Sequence, residues 1–197
     1  MAFANAGGVG PVSAKPVEPP DASVVARIIG RIRSPFVVAQ GTPIQPSCAA
    51  SAEGTVVLDP RFAGALDDIE GFERVWLVYW MDRADPYRAR VVPYRDTREH
   101  GVLATRSPCR PNAIGMSAVT LLAREGNLLR VAGVDVLDGT PLLDLKPYVP
   151  EFDAHPSSRA GWFEEAGNRD RRTADGRFHQ GHGGKPQDPR ARGRRSR

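Results

Sequence analysis

The run Arg74-Val75-Trp76-Leu77-Val78-Tyr79-Trp80 constrains the fold most. It is β-branched and aromatic, and apolar on both faces of an extended chain. That is the composition of a central strand with a pairing partner on each side. Weaker segments around it share the character. Ile28, Gly30 and Ile32 alternate with Arg27, Ile29, Arg31 and Arg33, the period-two pattern of a half-exposed strand, and Ser34-Pro35 stops it. Thr55–Leu58 ends at Asp59-Pro60, and Val102–Ala104 reads as a short strand before a proline-rich loop. Ser117–Ala123 and Leu128–Leu137 read as longer strands joined through Arg124-Glu125-Gly126-Asn127, a hairpin signal. Pro141–Leu145 is a last extended piece after the Asp138-Gly139 turn. Trp76 and Trp80 are expected in the core.

Helix signals are weak. Asp59 can cap a short helix over Pro60–Ile69, with Pro60 at its first position and Gly71 at its end. Strands do not alternate with long amphipathic helices, which argues against a doubly wound sheet. The chain reads as mainly β, an antiparallel barrel or sandwich with one or two short helices.

The folded unit is expected over residues 23–166. Residues 1–22 carry Gly7, Gly8, Gly10, Pro11, Pro16, Pro19 and Pro20 and read as a flexible leader. Residues 167–197 read as a disordered basic tail, with Phe178 as the one large apolar residue from Asn168 on, too little burial to offset the entropy of ordering. The net charge of +4 is distributed accordingly. From Asn168 to Arg197 ten Lys/Arg stand against three Asp/Glu, and the rest of the chain is mildly acidic. Such a tail is a solvated end or a contact for an RNA backbone.

No stretch approaches the ~20 apolar residues that span a bilayer, and the first residues lack the basic start and apolar block of a secretory signal. A cytoplasmic protein without membrane association is expected. Cys48 and Cys109, far apart in sequence, exclude a disulfide framework and an all-cysteine zinc site. His179-x-x-His182 has ligand-like spacing but lacks a third ligand, so no metal is expected.

The chain has no G-x-G-x-x-G after a strand and no phosphate-binding G-x-x-x-x-G-K-[ST] loop. Its densest polar cluster is Thr105-Arg106-Ser107-Pro108-Cys109-Arg110-Pro111-Asn112. Prolines fix this backbone, and Arg106 and Arg110 bracket it, which suits either a carboxylate or phosphate grip or an ordinary irregular loop. Met81-Asp82-Arg83 follows the central strand directly, at a strand end where function concentrates. The segment from Asp82 to Glu99 mixes five arginines with Tyr87 and Tyr94, a composition that fits a polynucleotide contact or a solvated insertion. Asp138-Gly139-Thr140 is first a hairpin turn, and second a strand end offering backbone groups to a ligand.

Taken together, the segments IGRIRSPF, TPIQP, GFERVWLVYWMDR, GVLATRSPCRPNAIGMSAVTLL and DVLDGTPLLDLKPYVPEFD, in this order and spacing, resemble the TrmO (TsaA-like, YaeB-like) family of S-adenosylmethionine-dependent tRNA methyltransferases. The resemblance runs from about Val25 to Asp153. It implies a small single-domain β-barrel, a homodimer with cofactor sites near the subunit interface, and N6-methylation of threonylcarbamoyl-adenosine next to the anticodon of tRNA. Some members carry a second domain after the barrel that helps hold tRNA. Here the basic tail and the arginines from Arg83 to Arg98 are expected to supply that attraction.

The resemblance implies a pocket for S-adenosyl-L-methionine built from Pro43, Ile44 and Gln45, from Met81, Asp82 and Arg83, from Arg106, Ser107, Arg110 and Met116, and from Val136, Leu137, Asp138, Gly139 and Thr140. Asp82-Arg83 stands where other members often carry different polar residues. Arg106 or Arg110 suits the cofactor carboxylate, Met116 the face of its adenine and the Asp138–Thr140 backbone its edge. The acceptor nitrogen is a poor nucleophile, so a base that removes its proton is expected. Asp138, Asp144 and Tyr148 are the candidates. The alternatives are a sensor or accessory module that binds the cofactor without catalysis, and a methyltransferase acting on a small molecule.

Overall fold

In a computed structural model, which describes residues 23–49 and 51–179, the chain forms a closed six-stranded barrel. Its strands are β1 (Gly30–Arg33), β2 (Glu53–Leu58), β3 (Arg74–Trp80), β6 (Ile114–Glu125), β7 (Leu128–Ala132) and β8 (Thr140–Pro147). Two short strands, β4 (Arg90–Val91) and β5 (His100–Gly101), pair in the excursion between β3 and β6. Around the barrel the order is β1-β2-β7-β6-β3-β8, and every pairing is antiparallel. Antiparallel closure leaves no free sheet edge in the barrel.

β3 sits between β6 and β8, as its composition demands. Val75, Leu77 and Tyr79 point into the core with Ile32, Val56, Val119, Leu129, Val131 and Leu142. Its tryptophans take the other face. Trp80 is 39% exposed, and Trp76 packs on Tyr148 with ring centroids 5.6 Å apart. The expectation that both lie in the core is therefore corrected. A strand apolar on both faces carries no phase signal, so composition alone could not say which alternate set, Val75-Leu77-Tyr79 or Trp76-Val78-Trp80, faces the interior.

The β6–β7 hairpin turns through Gly126-Asn127, with Gly126 at φ 61°, the first central position where a type II′ turn takes glycine. β7 stops at Ala132, well short of Leu137, because Gly133 turns the backbone to φ 87°. Asp138-Gly139 is not a hairpin turn, since β8 pairs with β1 and β3 rather than β7. The segment read as one helix over Pro60–Ile69 is two 3₁₀ turns, Pro60–Leu66 and Ile69–Gly71, broken at Asp68 with φ 67°. Asp59 does cap the first, accepting from the Arg61 amide at 3.0 Å. Val102–Ala104 is likewise a 3₁₀ turn, with Val102 buried.

The two barrel ends differ. Leu66 and Ile69 close one end, and Arg124 of β6 pins that cover by donating to the carbonyls of Ala63 and Leu66. At the other end, four segments meet: residues 34–49, the β3–β6 excursion, residues 133–139, and residues 168–179.

That last segment corrects the expected boundary at residue 166. Phe178 is 3% exposed and packs with Val91, Val102 and Cys109 in a second apolar cluster against Tyr94. Ala174 exchanges backbone hydrogen bonds with Gly41 and Thr42, and Asp85 N–H donates to the Phe178 carbonyl. Residues 1–22 and 180–197, the leader and most of the basic tail, lie outside the described residues. Among those described, no helix is long and apolar enough to cross a membrane.

Candidate active site

The four segments enclose a recess at the open end of the barrel. Its apolar wall includes Pro43, Ile44, Met81, Val136 and Leu137, and its polar wall includes Tyr79, Asp82, Arg83, Tyr94, Arg106, Asp135, Thr140 and His179.

A three-residue chain forms the floor. Gly115 stands opposite Tyr79 across β3 and β6. Its missing side chain lets the Tyr79 ring lie across β6, where a Cβ would meet the ring at 2.2 Å. The Tyr79 hydroxyl then lies 3.0 Å from Ser117 Oγ, and Ser117 Oγ donates to Asp135 Oδ1 at 2.6 Å. Ser117 has one proton, committed to the carboxylate, so Tyr79 donates to Ser117. Burial pushes the Asp135 carboxyl up to about 7, against the Ser117 hydrogen bond and the positive charge of Arg106, which both lower it. Burial, reinforced by the Asp135 charge, pushes the Tyr79 hydroxyl up too, so it stays protonated.

Arg83 ties the recess wall to the start of β8. Its Nη2 donates to the Asp138 carbonyl at 2.9 Å and to Thr140 Oγ1 at 3.1 Å. Thr140 in turn donates to the Leu137 carbonyl at 2.7 Å. At the rim, Arg106 Nη1 donates to Gln45 Oε1. This fixes an exposed guanidinium over the opening and leaves its other N–H groups free among the described residues.

Of the cofactor-pocket residues expected from the sequence, Pro43, Ile44, Met81, Asp82, Arg83, Arg106, Val136, Leu137 and Thr140 line this one recess. The others do not. Gln45 positions Arg106 from behind. Arg110 is spent on backbone, its Nη1 donating to the Thr105 carbonyl at 2.9 Å. Ser107 is buried and accepts from the Cys109 amide. Met116 is half exposed on the barrel's outer face, in a separate groove with Trp76. The Asp138 and Gly139 amides donate to the Phe36 and Ile32 carbonyls, and their own carbonyls accept from Arg83 and Arg31. That backbone has no unpaired edge to offer.

The three residues expected as bases also lie elsewhere. The Asp138 carboxylate faces Arg33 at 3.3 Å and the Ser34 amide at 3.1 Å. Asp144 pairs with Lys146 at 2.7 Å, and Tyr148 covers Trp76. Sequence reasoning missed Tyr79, Ser117, Asp135, Tyr94 and the functional placement of His179. The local signal that marks Asp135 is an acid set between Val134 and Val136, which both turn out buried.

Three buried side-chain polar atoms among the described residues have no hydrogen-bond partner: Arg83 Nε, Tyr94 OH and His179 Nδ1. All three residues line the recess. Arg83 Nε comes no nearer an acceptor carboxylate than 3.5 Å, at Asp82. Burial holds the His179 imidazole below its ordinary range, so it is neutral at pH 7. Unpaired buried polar atoms cost stability, so three on one wall mark a surface completed by a ligand or ordered water. Among the described residues no three His, Cys, Asp or Glu gather as a metal site.

Residues 31–154 match the family model described as the tRNA-methyltransferase O N-terminal domain. The chain belongs to the TrmO family. It is 50% identical over 153 residues to a probable S-adenosyl-L-methionine-binding protein of Pyrococcus abyssi, covering 77% of this chain and 83% of that one. A mouse tRNA (adenine(37)-N6)-methyltransferase is 36% identical over 133 residues, 64% of this chain and 31% of that protein. The crystal structure of TrmO from Pseudomonas aeruginosa superposes with a TM-score of 0.61 at 39% identity, covering 71% of this chain and 62% of that one. This chain thus spans about three fifths of that TrmO, and the TrmO barrel is the part they share. The stretch from residue 168 to 179, which brings His179 to the recess, lies beyond the segment that the family model matches.

Proposed function

We propose that this chain is an S-adenosylmethionine-dependent tRNA methyltransferase acting on the N6 nitrogen of the adenosine beside the anticodon, in its threonylcarbamoylated form. The observation that carries the reading is the recess itself, where three unpartnered buried polar atoms, on Arg83, Tyr94 and His179, sit among residues from all four segments expected to hold the cofactor.

The donor set fits the group. S-adenosylmethionine offers a carboxylate, an ammonium, a sulfonium and an adenine, and supplies an electrophilic methyl when bound. Arg106 and Arg83 match the carboxylate, Asp82 the cationic groups, and Pro43, Ile44, Met81, Val136 and Leu137 an apolar ring. The protein's contribution is to fix donor and acceptor in line in a pocket shielded from water. Ile114, Met116 and Trp80 are exposed on the outer face of β3 and β6, an apolar patch that supports the expected homodimer. Arg88, Arg90 and Arg98 of the β3–β6 excursion are exposed but pair with Asp85, Glu99 and Asp96, so a phosphate backbone would draw them away from those acids.

Calorimetric titration with S-adenosylmethionine tests the first half, and methyl transfer to tRNA lacking the N6-methyl group tests the second. Micromolar binding by the wild type, weakened at least tenfold in Arg106→Ala, is expected. Absence of wild-type binding overturns the proposal. A second reading, cofactor binding without turnover, draws on the positions of Asp138, Asp144 and Tyr148 outside the recess. It predicts binding with no methyl transfer.

A further inference from the structure

Within the methyltransferase reading, one step has no agent among the residues expected from the sequence. An exocyclic nitrogen bonded to a carbamoyl carbonyl is a weak nucleophile, and its N–H proton must leave as the new bond forms. We propose that Asp135 is the catalytic residue that takes this proton.

The argument starts from position. Asp135 is the acidic side chain on the recess wall that the barrel itself holds in place. It follows Val134, a buried core residue, and is fixed by Ser117 of β6 at 2.6 Å. The other acid of the recess, Asp82, lies in the excursion, where it already faces the Arg83 guanidinium at 3.5 Å. The groups that face Asp135 from the surrounding elements are Tyr79 of β3, Ser117 of β6 and Arg106 of the excursion. Asp82, Arg83 and His179 share the same recess.

Ser117 engages Oδ1, and among the described residues no other side chain donates to this carboxylate, so Oδ2 is left for a proton. The Tyr79–Ser117–Asp135 chain fixes the carboxylate's orientation and stabilises its charged form. Burial acts in the opposite sense and raises the carboxyl to about 7. A base is most effective where its affinity matches the working pH.

The step balances. The substrate N–H bond breaks, its electron pair forms the N–CH₃ bond, and the proton ends on Asp135 Oδ2. The S–CH₃ bond breaks with its electron pair left on sulfur. The carboxylate loses its negative charge as the sulfonium loses its positive one, so no net charge is stranded in the pocket.

The test compares wild type, Asp135→Asn and Ser117→Ala in three readouts. These are cofactor affinity by calorimetry, single-turnover methyl transfer to tRNA across pH 5.5–9, and titration of the Asp135 carboxyl carbon by NMR in the free protein. Asn keeps the shape and an acceptor for Ser117 but not the basicity. The expectation is a loss of transfer of about 100-fold or more with affinity changed less than about threefold. The wild-type rate should rise with pH along the NMR titration of Asp135. In Ser117→Ala, which removes a bond to the charged form, both curves should move together to higher pH. A transfer rate unchanged in Asp135→Asn overturns the assignment while leaving the methyltransferase reading intact. Equal loss of affinity and rate makes Asp135 a cofactor ligand instead and also overturns it. Absence of cofactor binding by the wild type overturns the methyltransferase reading, and this assignment with it.

Discussion

Gly115 and Tyr79 face each other across β6 and β3 so closely that a single added methyl group would sit 2.2 Å from the tyrosine ring. Glycine at 115 is thus what lets the ring lie over its neighbour and reach Ser117. In Gly115→Ala the ring must move, because it is packed in the core and cannot yield at a flexible end. The expected cost is about 1–3 kcal/mol, the usual penalty of overpacking. Thermal denaturation should show a lowered midpoint. The Tyr79–Ser117 contact should be lost, visible as faster exchange of the tyrosine hydroxyl proton. An alanine variant with wild-type stability would mean that the strands separate freely here.

Asp135 predicts a pH dependence of stability with a definite sign. Its carboxyl is raised from 3.8 to about 7 in the folded chain, so the native state holds a proton that the unfolded state has released. Stability from this group is fully present below about pH 4 and is lost as pH rises to about 7. The loss is at most about 4 kcal/mol, at 1.36 kcal/mol per unit. Asp135→Asn removes the effect. The variant is expected to unfold at a higher temperature than wild type at pH 8 and to lose that advantage at pH 4.5. Parallel curves for the two proteins across that range would show that Asp135 titrates as an ordinary surface carboxylate.

Arg106 and Arg110 bracket the same proline-fixed loop, yet the structure gives them opposite work. Arg110 donates to the Thr105 carbonyl, and Thr105 is buried. Arg110→Ala should lower stability by about 1.5–3 kcal/mol, the range for a hydrogen bond to a charged donor. Arg106 is exposed and held only at its rim by Gln45. Its removal should leave the melting temperature within about 2 °C, while weakening the cofactor as stated above. Denaturation and calorimetry on the two variants separate the roles. A reversed pattern would place the binding arginine at 110.

The barrel was legible because its evidence is local. Arg74–Trp80 names a central strand by composition alone, and Gly126-Asn127 names its hairpin. The site was half legible for the same reason. Met81–Arg83 and Val136–Thr140 lie at strand ends, where a barrel must open. What escaped depends on distant partners. Ser117 and Asp135 are eighteen positions apart, and the two valines that flank Asp135 mark a buried acid without naming its partner. Asp138 and Tyr148 looked suited to catalysis by residue type, but Arg33 and Trp76 had already claimed them. Phe178 was hidden by averaging, since one aromatic in a basic stretch says nothing of the cluster of Val91, Val102 and Cys109 waiting for it.

That cluster makes the segment from 168 to 179 a working part of the molecule, and two variants resolve how. Phe178→Ala removes a side chain that is 3% exposed and should cost about 3 kcal/mol, at the low end for buried phenylalanine because the cluster is small. The loss should be local. The Ala174 amide, which donates to the Thr42 carbonyl, and the Gly41, Ile44 and Asp85 amides, which donate to the carbonyls of Ala174, Arg172 and Phe178, should exchange rapidly, while those of β3 and β6 stay protected. His179→Ala leaves the anchor in place and removes only the imidazole whose Nδ1 is unpartnered on the recess wall. It should leave the melting temperature unchanged or slightly raised, since an unsatisfied buried group is removed. Cofactor or tRNA affinity should fall about tenfold in both variants. If His179→Ala binds as wild type does while Phe178→Ala does not, the segment shapes the recess through its backbone and the imidazole is incidental. If neither variant changes affinity, the segment is an ornament on the barrel, and the recess is complete without it.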